Sequence, residues 1–546
     1  MEGYTPIKGT SFIPLSPPFS LFYTFFLSSH SCLLSFLLVS SYFNTPYWDK
    51  EKKQPRSRRK LIGRLDETTG DIVSTRARKT VVQEPLSKRT FYGATYLFDE
   101  IVKELGIRRD LKECFPQHYM QILSIAYYLI LEDRNPLVRF PRWAATHKHP
   151  YGKDITSQRS SDLFASITEE GKDRFFVLQG GRKMEREYWF YDATSISSYS
   201  KCLAQAKYGH NKDHEHLEQI NLAVMYGEES RLPFYYRKLP GNIPDVKTVR
   251  NLIADITQLE YKKVKLVMDR GFYSEDNVNA MLGAHLKFLL GVKVSLLFVQ
   301  EVLTTVRDDM RNFDHYNPEH DLFSYSKTIT WEYKQGRPYK GDTLEEERRM
   351  YLHLYFSAEK ALEDERTLNS LLIAWKTELE TGKTNVANEK SYSKYFDVKA
   401  TAVRGVKVTV KQKAIEQAKK NYGFFAMISN DIKDPITALE RYRNKDLIEK
   451  AFDNLKERLS FSRALVSSEK SLDGKLFVEF IALIIMSDIK RRMRDSSLLK
   501  KYTMQEMLDH IDLIECFEQK GRHFRFGEII KKQSDIFHAL AILPPT

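Results

Sequence analysis

Three acidic residues stand where acids can do chemistry. Asp269 closes the run Lys262-Lys-Val-Lys-Leu-Val-Met-Asp-Arg-Gly-Phe-Tyr-Ser274. Val264, Leu266 and Met268 alternate there with Lys265 and Val267, then the apolar pattern stops. This is a short buried strand that delivers a carboxylate to its C-terminal tip, and Gly271 lets the chain turn at once. A helix is expected over residues 274–282 and another strand over 287–292. Asp192 ends a second, aromatic strand, Tyr188-Trp-Phe-Tyr-Asp-Ala-Thr194. Glu449 lies in a helical run from Tyr442 to Lys456. On that helix Tyr442, Lys445, Glu449 and Lys456 share one stripe. Ile448, Ala451, Phe452, Leu455 and Leu459 share a second, which is the core face. Taken singly, each acid has a plainer reading, as a helix cap or as part of a solvated charged face. Taken together, carboxylates at strand tips suit hard, oxygen-seeking cations, and a pair of such ions can run phosphoryl transfer.

The composition permits that chemistry on a polyanion. The 546 residues exceed one ordinary domain, and 42% hydrophobic with 29% charged residues is a globular mixture. The formal net charge of +13 favours nucleic acid or an anionic membrane surface as partner. Cys32, Cys114, Cys202 and Cys516 are scattered, which excludes a disulfide framework or zinc ribbon and points to a reducing compartment.

Asp192 on a first strand, Asp269 in Met-Asp-Arg-Gly-Phe-Tyr-Ser, and Glu449 in a Tyr-x2-Lys-x3-Glu-x6-Lys helix resemble the DDE transposases of bacterial insertion sequences. The resemblance is to the branch with a Tyr-x2-Arg-x3-Glu-x6-Lys signature, and it runs from about Tyr47 to the C-terminus. Lys445 departs from that signature, keeping the charge of the arginine but not its planar two-pronged grip on phosphate. The resemblance implies an α/β protein with an RNase H-like catalytic core and a strand-rich insertion before the glutamate helix. It also implies an N-terminal, mainly helical DNA-binding region. Strands at Ile220–Met225 and Leu232–Arg237 around Gly227, a helix near 246–256 and then the Asp269 strand fit the order of such a core.

The chain divides accordingly. Residues 1–45 are a hydrophobic leader, expected to be dispensable. Positions 9–48 carry no Asp, Glu, Lys or Arg, and the segment is long enough for a membrane span, but Pro14, Pro17 and Pro18 break its start and no positive flank precedes it. Residues 46–180 form the N-terminal DNA-binding region. They open with seven basic residues from Lys52 to Arg64 and a hairpin near Thr69-Gly70. Short helices follow, with Gln158, Arg159 and Ser160 expected on exposed turns of one of them; they fit a helix-turn-helix-like reader or a plain scaffold. Residues 181–293 are the first part of the core, 294–420 the insertion, and 421–546 the second part of the core with C-terminal helices. His210, His214 and His216 are close in sequence, but no second cluster completes a zinc site.

The expected activity is that of a transposase binding the terminal inverted repeats of its element. It would cleave the ends and join them to target DNA. Asp192, Asp269 and Glu449 would be both catalytic residues and the ligands of two Mg2+ ions, with Mn2+ able to substitute. Tyr442, Lys445 and Lys456 would hold backbone phosphates, and Trp331 in the insertion would stack on a base drawn from the duplex. The partners implied are DNA and, for synapsis, a second copy of the chain. A membrane partner is not expected, and the location is cytoplasmic, at the nucleoid. Two other readings remain open: a catalytically inactive, sequence-specific DNA-binding protein derived from such an enzyme, and a membrane-anchored basic protein.

Overall fold

The computed structural model describes residues 40–49, 54–65, 72–73, 87–132, 135–182, 187–198, 203–209, 211, 215–337, 340–401, 405–453, 468–519 and 524–546. The chain forms two compact units, divided after Leu86. In the first, β1 (Ser40–Asp49), β2 (Gln54–Leu65) and β3 (Ile72–Val73) make an antiparallel sheet with β2 in the middle. Leu65 pairs with Ile72, which is the hairpin expected from the sequence. β1 begins inside the uncharged leader: its residues from Ser40 onward are strand, paired with the basic run of β2. No helix among the described residues is long and apolar enough to cross a membrane.

The second unit is α/β. It opens with β4 (Ser87–Phe91). The strands that follow are β5 (Trp189–Ser198), β6 (Glu218–Gly227), β7 (Pro233–Pro240), β8 (Lys265–Met268) and β9 (Lys287–Val292). Next come β10 (Tyr316–Asn317), β11 (Leu322–Arg337), β12 (Asp342–Phe356), β13 (Phe396–Thr401), β14 (Gly405–Val410) and β15 (Phe424–Ser429). The last are β16 (Glu515–Gln519) and β17 (Arg525–Phe526). Nine of them form one sheet in the order β10-β11-β12-β15-β9-β8-β5-β6-β7. β5, β6 and β7 are antiparallel neighbours, the helix Asp245–Gln258 follows, and β8 returns parallel to β5. β9 is parallel to β8, while β15 lies antiparallel on its other side. Every residue of β5 is buried, as for strands covered on both faces.

The two short strands expected at 328–333 and 351–356 fall within a much longer hairpin, β11–β12, in which 328–333 lies opposite 346–351 and 351–356 opposite 323–328. Before Tyr351, β12 pairs with β11 alone, so the half from Asp342 to Met350 is a two-stranded ribbon. Charged pairs such as Glu332 opposite Glu347 and Lys334 opposite Glu345 keep that ribbon wet and hid it from an apolar-alternation reading. The helix Ala358–Thr381, ended by Gly382 in the left-handed region, and the β13–β14 hairpin share a small separate core around Leu368, Leu372, Tyr395 and Ile415.

Helices before the first acid pack against a helix after the last one. Leu97, Phe98, Ile101 and Val102 are fully buried, as their stripe implied. The helix Tyr119–Leu131 is buried from Ile122 to Ile130. The helix Ser157–Ser166 meets the long helix Glu469–Asp495 so closely that a Cβ at Gly474 would lie 2.0 Å from the Phe164 carbonyl oxygen. Gln158 and Arg159 are exposed there, but Ser160 is buried, its hydroxyl donated to the Ser157 carbonyl.

The long helix buries two acids. Asp488 is paired with Arg491 and Arg492. Glu479 is fully buried, and burial pushes its carboxyl from an ordinary 4.5 up to about 8, although the Lys475 ammonium 3.5 Å away pulls it down. An acid with a raised folded pKa takes up a proton on folding. Its contribution is full below pH 4.5 and is lost as pH rises through about 8. Glu479→Gln is therefore expected to flatten the fall in stability over that window and to exceed the parent at pH 9, by about 1.4 kcal/mol per pKa unit removed. Thermal midpoints at pH 5, 7 and 9 test this; parallel profiles would refute it.

Candidate active site

Strand register brings the two aspartates together. In the parallel pair β5–β8, Trp189 lies opposite Leu266, Phe190 opposite Val267 and Tyr191 opposite Met268. β8 stops there, and the next residue on each chain is an acid, Asp192 and Asp269. In-register residues of parallel strands point to the same face, so both carboxylates emerge side by side. Asp192 does not end its strand: β5 runs on to Ser198 because β6 continues to pair with it on the other side, as far as Glu218. Asp192 is buried, and its Oδ1 accepts from the Ala193 amide at 2.8 Å.

Asp269 is held more elaborately. It caps the short turn of helix Arg270–Phe272 by accepting the Arg270 amide at 2.7 Å, and the Tyr442 hydroxyl donates to the same oxygen at 2.5 Å. The Lys445 ammonium lies 3.6 Å from its other oxygen. Burial pushes this carboxyl up, but the Tyr442 hydroxyl, Lys445 and Arg270 more than offset it, so its pKa falls below the usual value. Gly291 on β9 makes room for this: a Cβ there would sit 3.0 Å from both the Arg270 amide nitrogen and the Tyr442 hydroxyl.

The glutamate helix is not continuous. Helix Pro435–Arg443 ends, Asn444 and Lys445 form a turn, and helix Asp446–Asp453 begins. Across the join the Lys445, Leu447 and Ile448 amides bond to carbonyls three residues back, not four. A buried acid sits against the break. Glu228, just past the end of β6, pairs with Arg441 and accepts from the Asn444 side-chain Nδ2 at 3.0 Å. The tightened turn directs Lys445 inward, where its Nζ lies 3.2 Å from Glu449 Oε1. Burial pushes its pKa down, but the carboxylates of Asp269, Asp192 and Glu449 raise it overall. Ile448, Ala451 and Phe452 are buried, as the stripe required. Lys456, Leu455 and Leu459 lie outside the described residues. Glu228 and Arg441 are site residues that the sequence reading missed. An ion pair spanning more than 200 positions leaves no local pattern.

Trp331 is packed among its neighbours in this structure. Its indole is 8% exposed, donates to Asn279 Oδ1 at 2.9 Å and meets the Phe298 ring edge-on at 5.9 Å. An Nε1–H that has found a partner anchors the β11–β12 ribbon to the neighbouring helices. Of the histidine-rich loop, His210 and His214 lie outside the described residues. A separate group, Glu319, His320 and Glu440, has ligand atoms within 4.8 Å of one another, and Arg443 also reaches His320, at 3.2 Å.

Beside Asp269 opens a cavity of about 790 Å3, with Phe424 and Leu439 on its apolar side and Arg270, Lys293 and Arg443 among its cations. The three acids offer the donor type a divalent metal takes, while the described group whose ligand atoms all lie within 4.8 Å of one another is Glu319, His320 and Glu440. The donors of the three acids are carboxylate oxygens, the preference of Mg2+ and Mn2+, and the geometry already places one positive group among them.

The model of the family described as a transposase DDE domain matches residues 186–485, more than half of the chain. That span contains Asp192, Asp269 and Glu449. No curated protein matches the chain. Among solved structures, a piggyBac transposase synaptic complex with hairpin DNA, determined by cryo-EM, aligns with TM-score 0.32 and 11% identity. The alignment covers 65% of this chain and 57% of that one, so the chain spans less than two thirds of that protein.

Proposed function

The chain belongs to the transposase DDE-domain family, and we propose that it cleaves the ends of an insertion sequence and joins them to target DNA through Asp192, Asp269 and Glu449. One observation carries this reading: the β5–β8 register sets Asp192 and Asp269 side by side, and the Lys445 ammonium links Asp269 to Glu449. The strand order β7-β6-β5-β8-β9, three antiparallel then two parallel, supports an RNase H-like core.

In this reading the three carboxylates hold two Mg2+ ions, with Mn2+ able to replace them. When bound, the ions polarise the scissile phosphate and activate the attacking water or DNA 3′-hydroxyl. The chain supplies position. Tyr442 fixes the rotamer of Asp269 through its hydroxyl, and Gly291 lets it approach. Glu228 contacts Arg441 and Asn444 beside the turn that carries Lys445. Lys445, Lys456, Arg270 and Lys293 meet backbone phosphates, whose charge they balance. The basic strand β2 and the helices up to residue 180 contribute further DNA contacts, and synapsis of two ends takes two copies of the chain.

The test is a cleavage assay on DNA carrying the element's own ends, with and without Mg2+. Metal-dependent nicking at the repeat boundary is expected. End binding without nicking under any divalent metal would leave the inactive DNA-binding protein as the reading.

A further inference from the structure

The ammonium of Lys445 sits where the acid set most needs positive charge. Its Nζ lies 3.2 Å from Glu449 Oε1 and 3.6 Å from Asp269 Oδ2, and the side chain is 14% exposed. The Tyr442 ring packs 5.7 Å from the ammonium, and its hydroxyl closes the other side of Asp269. Lys445 lies in the turn Asn444–Lys445, beside the contacts of Arg441 and Asn444 with Glu228, and from there reaches both Asp269 and Glu449.

We infer that Lys445 is an internal counter-ion that keeps the acid set closed to divalent cations until a DNA phosphate draws it away, so that metal loading is coupled to DNA engagement. The inference rests on the reading of Asp192, Asp269 and Glu449 as the metal-binding set.

Carboxylates gathered at one place repel one another, and something positive must hold them together. In the free protein Lys445 supplies one charge. A divalent ion among the same oxygens would sit within a few ångströms of Nζ and repel it, so lysine and metal compete for the same acids. Lysine suits an exchangeable role, being a point charge on a flexible four-carbon stem. The cavity beside Asp269, with Arg270, Lys293 and Arg443 in its lining, gives an incoming phosphate a place within reach of that stem. Once Lys445 turns to the phosphate, the acids are left with uncompensated negative charge and bind metal more tightly. By linkage, metal strengthens DNA binding by the same factor.

The experiment is Mn2+ titration of the full chain by calorimetry and by loss of the free-ion paramagnetic signal, with and without a duplex carrying the element's end. The parent, Lys445→Gln and Asp269→Asn are compared, with circular dichroism confirming fold. In the absence of DNA, Lys445→Gln is expected to bind Mn2+ roughly tenfold more tightly than the parent, and the gain that DNA confers is expected to shrink. Mn2+ should also raise the melting temperature of DNA-free Lys445→Gln more than that of the parent. Lys445→Met, which keeps the stem, replaces the glutamine variant if that fails to fold. Equal or weaker Mn2+ binding by a folded Lys445 variant would overturn the inference while leaving the metal site standing. Undiminished Mn2+ binding by Asp269→Asn would instead overturn the metal-site reading beneath it.

Discussion

Asp192→Asn, Asp269→Asn and Glu449→Gln are each expected to abolish strand cleavage while DNA-end binding stays within a few-fold of the parent. Each change keeps the shape of the side chain and removes one negative charge. Metal stabilisation of a phosphoryl transition state amounts to several kcal/mol, and each 1.36 kcal/mol is tenfold in rate. The loss should therefore be on the order of a thousandfold or more. The three positions differ in what else they do, which makes the comparison informative. Glu449 is exposed, with its side chain 55% open, so Glu449→Gln should leave stability unchanged within about 0.5 kcal/mol. Asp192 is buried within β5 and accepts the Ala193 amide, a bond that asparagine can also accept. Asp269→Asn keeps the acceptor for Tyr442 but weakens the hold on Lys445. Single-turnover cleavage and gel-shift binding, measured together, separate chemistry from engagement. Parent-like cleavage by any one folded variant would remove that residue from the reacting site.

The elements that carry the three acids were legible from the sequence because short-range rules place them. An apolar run that stops at an aspartate, followed by glycine, marks a strand tip, and β8 with Asp269 has that form. The core face of the glutamate helix was legible for the same reason, since Ile448, Ala451 and Phe452 repeat with the helical period. What stayed hidden depends on partners far away in the chain. Nothing between Tyr442 and Lys456 announces a break, beside which Asn444 and Arg441 meet Glu228 at the end of a strand formed over 200 residues earlier. Asp192 read as a strand end because its apolar run stops, yet β6 carries the pairing on through serines and threonine to Ser198. Trp331 looked available in a charged segment, but Asn279 and Phe298 occupy it from elements some 30 to 50 positions away.

Phe477→Ala is expected to lower the unfolding free energy by about 3–5 kcal/mol. Phe477 is fully buried on the helix Glu469–Asp495. Its ring meets Phe115 at 5.3 Å, Phe175 at 5.4 Å and Phe176 at 6.2 Å, all from the helical region that precedes the first acid. These contacts join chain segments about 300 residues apart, so they come at a high entropic cost and must be well packed to persist. The void left by the ring cannot close easily. Phe115 is already tight against Gly171, where a Cβ would approach its ring to 2.5 Å, and Phe176 is fixed between Tyr235 and Tyr236 at 5.0 and 5.5 Å. Phe477→Leu, which fills much of the space, should recover most of the loss. Leu362→Ala, at a side chain half exposed on another helix, serves as the control and should change stability by less than about 0.5 kcal/mol. Urea midpoints at constant m-value measure all three. A loss below about 1 kcal/mol in Phe477→Ala would mean that the long helix is not docked on Phe115 and Phe175, and that the N-terminal helices are held to the long helix by other contacts.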